Sequence, residues 1–300
     1  MSTINFNDKI FAQQTLEAFA RRMKPFSSFA RDFSIEARQI GDAIAVPRID
    51  SVSVTTFSAS NNGGVPYENE GGVINTITVN LNNHHIASVD ITDLQALVHS
   101  PARAENFRNK LVNDLASRFF DRVLSIVTPG TFGAVVTSVS MLAYSRNQIR
   151  AIRKAMVKAN CPMDNVSLWL NPDLFDSLLG DENVARAGDY GGSEAVRDGA
   201  IPRLLGFNVF EIVDLPTNGV SLAGFGACAD ALALAARPVV SQEPGEYLSH
   251  EIVTDPETGL SLTYKRHYSP GKGKMFINME CLFGFAAGIT PGLKMLATTD

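Results

Sequence analysis

The chain has 300 residues, of which 45% are hydrophobic and 19% charged, a balance that marks a folded globular protein and excludes a disordered one. No stretch approaches the roughly 18 consecutive apolar residues of a membrane-spanning helix, and the opening MSTINFNDKIF lacks the basic start and apolar centre of a secretion signal. Basic residues number 26 against 31 acidic, a net charge of −5, whereas a dedicated nucleic-acid binder carries a basic surplus to neutralise phosphates.

Taken in chain order, the first element is aromatic. Six of the 18 phenylalanines fall in the first 33 residues, at Phe6, Phe11, Phe19, Phe26, Phe29 and Phe33. The spacing of Ala12, Leu16, Phe19, Ala20 and Met23 predicts a short amphipathic helix, capped at Asn7 or Asp8 and ended by Pro25. Such a helix is too short to stand alone. Its apolar face must dock on the rest of the chain or on another subunit, and both remain open at this point.

Residues 44–57 and 73–81 alternate apolar and polar side chains, which predicts two strands. The Asn- and Gly-rich segment 58–72 between them makes a long hairpin with a wide polar tip. Arms of about 8 residues span roughly 26 Å. A two-stranded hairpin is not stable alone in water, so something else must cover it. Residues 101–127 form the clearest helix. Pro101 suits its first turn, two apolar rows run through Leu111–Val123 and Val112–Val127, and Pro129-Gly130 stops it. A second amphipathic helix follows over 145–160, with Ser145 as its cap. Residues 166–170 predict a buried strand, and Asn171-Pro172 opens another helix. Residues 180–200 are Gly-rich, 206–213 form a strand, and strands return at 247–254, 259–267, 274–287 and after Pro291-Gly292. Helix and strand patterns alternate over 140–235, which predicts a mixed α/β unit.

The sequence shows no chemistry of a known kind. Pro270-Gly-Lys-Gly-Lys274 lacks the spacing of a phosphate-binding loop, Gly224-Phe-Gly226 is half a dinucleotide fingerprint, and His250-Glu251 lacks a second metal-binding His. No GxSxG elbow is present; Gly191-Gly-Ser-Glu-Ala does not match. His84 and His85 are adjacent on a strand and point to opposite faces, which predicts exposed strand-end histidines and no shared metal. The cysteines Cys161, Cys228 and Cys281 are too few and too far apart for a disulfide framework or a zinc cluster, and they suit a reducing cytoplasm. Cys161, beside Pro162, has no positioned His in any signature and reads as a buried or inert thiol. No catalytic residue, metal ligand or cofactor is therefore expected.

The order of parts resembles the major capsid protein of tailed bacteriophages, of the Hong Kong 97-type fold. The residues that carry the resemblance are Ala159-Asn-Cys-Pro162 through Trp169-Leu-Asn-Pro-Asp-Leu-Phe175, then Gly206-Phe-Asn-Val209 to Asp214-Leu-Pro216, then Leu282-Phe-Gly284 to Thr290-Pro291. The resemblance implies an α+β fold with an N-terminal arm at 1–33 and an extended hairpin loop at 44–87. It implies a peripheral domain at 88–137 with a spine helix at 101–127, completed by residues 236–300, and an axial domain at 138–235.

The resemblance also implies a non-enzymatic virion protein, assembled in the host cytoplasm into homo-hexamers and homo-pentamers of an icosahedral head. Its partners would be a separate scaffolding protein, a portal, a decoration protein, and the packaged double-stranded DNA genome held without sequence-specific binding; no membrane is involved. The mild acidity suits a wall that must release its genome. The arm begins at Met1 without the built-in scaffold domain of some members, which predicts a separate scaffold or a processed precursor. No lysine occurs between Lys24 and Lys110, so a lysine crosslink from the extended loop is not possible and subunits are expected to join non-covalently. The residues expected at subunit interfaces are Phe6, Phe11, Leu16, Phe19 and Met23 in the arm, Tyr67, Glu68 and Glu70 in the loop, and Arg186, Tyr190 and Arg197 near the capsomer axis. The alternatives are an encapsulin-like compartment shell and a hydrolase without a recognisable motif.

Overall fold

A computed structural model describes residues 8–32, 43–52, 72–92, 101–181, 201, 203–213, 215–241, 243–255 and 259–299. The helix α1 (Asp8–Met23) buries Phe11, Ala12, Thr15, Leu16, Phe19 and Met23 on one face, as its spacing predicts. A short 3-10 turn, Lys24–Ser28, carries Pro25 and leads to β1 (Ala30–Asp32). Next come β2 (Ala43–Val52), β3 (Gly72–Asn80) and β4 (Asn83–Thr92). The long helix α2 spans Pro101–Leu124 and buries Leu111, Val112, Leu115, Ala116, Phe119, Phe120, Val123 and Leu124. It ends three residues before the predicted limit. There the Asn218 side-chain amide donates to the carbonyls of Leu124 at 2.9 Å and Val127 at 2.7 Å, taking up acceptors that a helix end leaves open.

One helical turn, α3 (Pro129–Phe132), precedes β5 (Thr137–Val139) and α4 (Arg146–Lys158). Ser145 caps α4 through a full capping box with Gln148. The strand β6 (Val166–Leu170) is buried at every residue, and Asn171 caps α5 (Pro172–Leu179) by accepting from Leu174 N. The remaining strands are β7 (Arg203–Leu204), β8 (Phe207–Glu211), β9 (Leu222–Cys228), β10 (Leu232–Arg237), β11 (Ser249–Thr254), β12 (Ser261–Ser269), β13 (Lys274–Ala287) and β14 (Leu293–Thr298).

These strands build two sheets and a ribbon. The first sheet runs β1-β10-β13-β12-β11, with β4 also pairing on β13. The second runs β5-β14-β9-β6-β8-β7, and β2-β3 form the ribbon. The ribbon confirms the strand pairing of the expected hairpin, while its tip lies outside the described residues. Its base is anchored: Val79 and Leu81 pack with Ala233 and Ala235 of β10. By contrast, β4 leaves the hairpin and pairs along β13 from Asn83↔Phe283 to Thr92↔Lys274.

Two strands depart from the expected division of the chain. β10 belongs to the first sheet and β14 to the second, so the last strand does not stay with the peripheral segment 236–300. The chain crosses between the sheets three times, once by way of α2 between β4 and β5 and twice by short links, at 229–231 and 288–292. The two short links are bonded to each other, Gly288 N to Ala231 O and Ile289 N to Asp230 O, both at 2.9 Å. Short, shared crossings of this kind bind the two lobes into one body.

Candidate assembly interface

The N-terminal aromatics lie inside this chain. Phe11, Leu16, Phe19 and Met23 are between 0% and 8% exposed, covered by α2 and the first sheet. Phe19 meets Phe119 edge-on at 6.0 Å, and Phe29 meets Trp169 at 5.1 Å and Phe225 at 5.4 Å. The expectation that these side chains fasten one subunit to the next is corrected for these four. The physical reason is packing: these side chains belong to the same core cluster as the buried residues of α2 and of both sheets. Polar contacts hold α1 in place. Asp8 pairs with Arg266 at 2.7 Å and accepts from the Tyr264 hydroxyl at 2.8 Å, and Arg108 donates to Gln14 at 2.7 Å. Burial and the Asp8 carboxylate together push the Tyr264 phenol well above its usual range.

Of the other expected interface residues, Phe6, Tyr67, Glu68, Glu70, Arg186, Tyr190 and Arg197 lie outside the described residues. The large apolar side chains that the described surface exposes are Ile10, Ile86, Leu142, Val157, Val213, Val240, Leu248, Ile252 and Tyr268. Ile86 and Ile252 share one row of the first sheet, in the register Ile86↔Glu280↔Thr263↔Ile252. Between them Glu280 is buried and accepts from Lys265 at 2.7 Å, with His84 Nε2 at 3.3 Å from the same carboxylate oxygen. Lys265 also sits 5.6 Å from the Tyr247 ring, and His267 stacks on Phe276 at 5.2 Å. Sequence reasoning missed this face. The alternation of β12 and β13 was visible, but the pairing of Lys265 with Glu280 depends on strand register.

No arrangement among the described residues resembles a reaction centre. His84 turns to Glu280, while His85 faces the other way and meets Phe283 edge-on at 5.0 Å. His85 is therefore half-buried, which corrects the expectation of two exposed histidines. Burial, with Arg118 and Arg122 nearby, lowers its pKa and keeps the ring neutral. Among the described residues no group of three His, Cys, Asp or Glu side chains could hold a metal ion. All three cysteines are buried and unbridged; burial raises the Cys161 thiol and pushes Cys281 up to about 12, so both are held as unreactive thiols.

No family model matches the chain, and no curated protein matches it in sequence. Its fold, however, is shared by solved particle structures. The capsid of Cyanophage P-SCSP1u is 12% identical, with 91% of this chain and 86% of that chain covered and a TM-score of 0.63. The mature capsid of bacteriophage PhiM1 is 10% identical, covering 92% and 87% with a TM-score of 0.60. The capsid of a native GTA particle is 14% identical, covering 92% and 91% with a TM-score of 0.53. At these identities the likeness is one of fold, and the chain has the Hong Kong 97-type fold of phage capsids.

Proposed function

We propose that this protein is the shell-forming subunit of a phage or GTA-type head, a structural and non-enzymatic role. One observation carries the reading: the likeness to capsid subunits spans about nine-tenths of the chain and of each of these capsid chains. Copies of the chain assemble as homo-hexamers and homo-pentamers around double-stranded DNA. Different patches of each subunit meet in such rings, because head-to-tail contacts close only if the two surfaces are complementary. The finer assignments are part of the proposal: a separate scaffolding protein, a portal at one vertex, and a decoration protein on the outer surface.

The interface assignments follow from the same reading. Tyr67, Glu68 and Glu70 at the hairpin tip reach a neighbouring subunit, and Arg186, Tyr190 and Arg197 line the capsomer axis. Electron microscopy of the purified full chain tests the whole reading. Uniform hollow shells, or capsomers that close into shells when a scaffold is supplied, are the expected result. A monomer that never assembles overturns it, and shells that hold a cargo protein without nucleic acid select the encapsulin-like alternative.

A further inference from the structure

The exposed face of α4 carries one sign of charge. Arg146, Arg150, Lys154 and Lys158 recur at four-residue steps and all four are exposed, while Ile149, Ile152 and Met156 face inward. The inward face packs on the second sheet: a Cβ at Gly226 would touch Ile152 and Met156. The helix has no acidic residue. Successive steps rise about 6 Å, so the four cations form a ridge about 18 Å long. Arg153, the fifth cation, turns aside to donate to the Leu205 carbonyl.

This ridge works against its own helix. Three like-charge pairs stand at i,i+4, where opposite charges would stabilise. Arg146 sits at the positive, N-terminal end of the helix dipole, where a carboxylate belongs. Among the described residues the one carboxylate at that end is Asp181, which accepts from Arg146 N at 3.3 Å beside the Ser145–Gln148 cap. None of the four cations forms an ion pair among the described residues. Elsewhere the same chain balances its surface. On α2, Lys110 pairs with Asp114 at 2.9 Å and Arg118 with Asp121 at 3.1 Å. In a chain with a net charge of −5, four cations on one ridge with no ion pair among the described residues suit an external polyanion.

We propose that the α4 ridge is a nucleic-acid contact that grips the phosphate backbone without reading sequence. Duplex DNA carries one charge per about 1.7 Å of axis with both strands counted, so a length of about 18 Å holds about ten phosphates, and those on the near side lie at spacings that the cations of the ridge can reach. The ridge has no aromatic side chain to stack on a base, and of the helix's two amides Gln148 is engaged with Ser145 in the cap, which leaves Asn147 alone to read an edge, so the contact is electrostatic. The proposal rests on the shell reading. It also refines the charge argument: the wall as a whole repels DNA weakly, and a few ordered ridges per capsomer set where the outermost duplex lies.

The test uses the full chain and a fluorescent 30-base-pair duplex. For the wild type, log K should fall steeply with log[salt]. The variant R150Q/K154Q/K158Q should lose at least tenfold in affinity at low salt, with a slope shallower by about 2 to 3, since each phosphate contact contributes about 0.9. It should melt at the same temperature as the wild type or higher, because like-charge repulsion is removed. The control K110Q/R118Q, on the ion-paired α2 surface, should bind as the wild type does. Equal slopes for wild type and the triple variant overturn the proposal while leaving the shell reading intact. Loss of shells in the triple variant with unchanged DNA binding also overturns it, and assigns the ridge to an acidic protein surface instead. Absence of shells in the wild type sinks the shell reading by itself, without touching the binding comparison.

Discussion

At the scale of single residues, the decisive side chains are those whose neighbours lie far away in sequence. Phe29 is fully buried between Trp169 and Phe225, in the seam between the lobes. Phe29→Ala should therefore cost about 3–5 kcal/mol of folding stability, read as a lower denaturant midpoint of the unassembled protein. A residue that only touched a neighbouring subunit would leave that midpoint in place. His85 gives a pH dependence with a definite sign. Burial comes first among its causes, then Arg118, Arg122 and His84, with Asp121 opposing them, and the net effect lowers its pKa below 6.5. Above 6.5 the ring is neutral in both the folded and unfolded chain, and the native contact is fully present. As pH falls below 6.5 the unfolded chain takes up the proton first, so folded stability is progressively lost until the folded pKa is passed. The melting temperature of the wild type should fall relative to that of His85→Gln between pH 7 and pH 5. Parallel curves would show that His85 does not couple folding to pH.

At the scale of elements, the sequence was legible wherever structure is local. The cap at Ser145, the cap at Asn171, the buried run Val166–Leu170 and the bounds of β13 all follow from residues within a few positions of one another. What sequence reasoning lost is long-range. Nothing near Leu124 announces that Asn218 will cap that helix end, 94 residues away. Nothing in Leu293–Thr298 says that the strand returns to β5 and β9 in place of staying beside β13. Gly224-Phe-Gly226 read as a broken fingerprint because its real constraint is packing: Cβ atoms there would run into Trp169, Leu170 and Ile152. Gly288 is the sharpest case. A Cβ at Gly288 would strike the carbonyl oxygen of Asp230, across the paired crossings. Gly288→Ala should force that backbone apart and weaken the two bonds at Ala231 and Asp230, a loss of about 1–3 kcal/mol. Amide exchange of Gly288 and Ile289 would report it directly, by faster exchange at both. Unchanged exchange would mean that the crossings relax without parting.

At the scale of the molecule, the architecture separates what folds the subunit from what joins subunits. The aromatic N-terminus, which composition alone made a candidate fastener, is structural within the chain, whereas the β2-β3 ribbon is anchored, among the described residues, at its base, where Val79 and Leu81 pack on β10 with Ile44 and Ile77 beside them. These placements make opposite demands on two deletions. Removing residues 8–23 strips α1 from α2 and from Tyr264 and uncovers Phe119, so the product should be aggregated and show no cooperative melt. Replacing residues 53–71 by a four-residue Asn-Gly turn spares the paired strands and their anchor, so the subunit should melt as the wild type does. If the tip reaches a neighbour, that shortened protein should stay soluble and form no shells under the conditions in which the wild type does. Shells of normal size from the shortened ribbon would remove the tip from assembly. A soluble, cooperatively melting protein without residues 8–23 would restore the arm as a fastener between subunits.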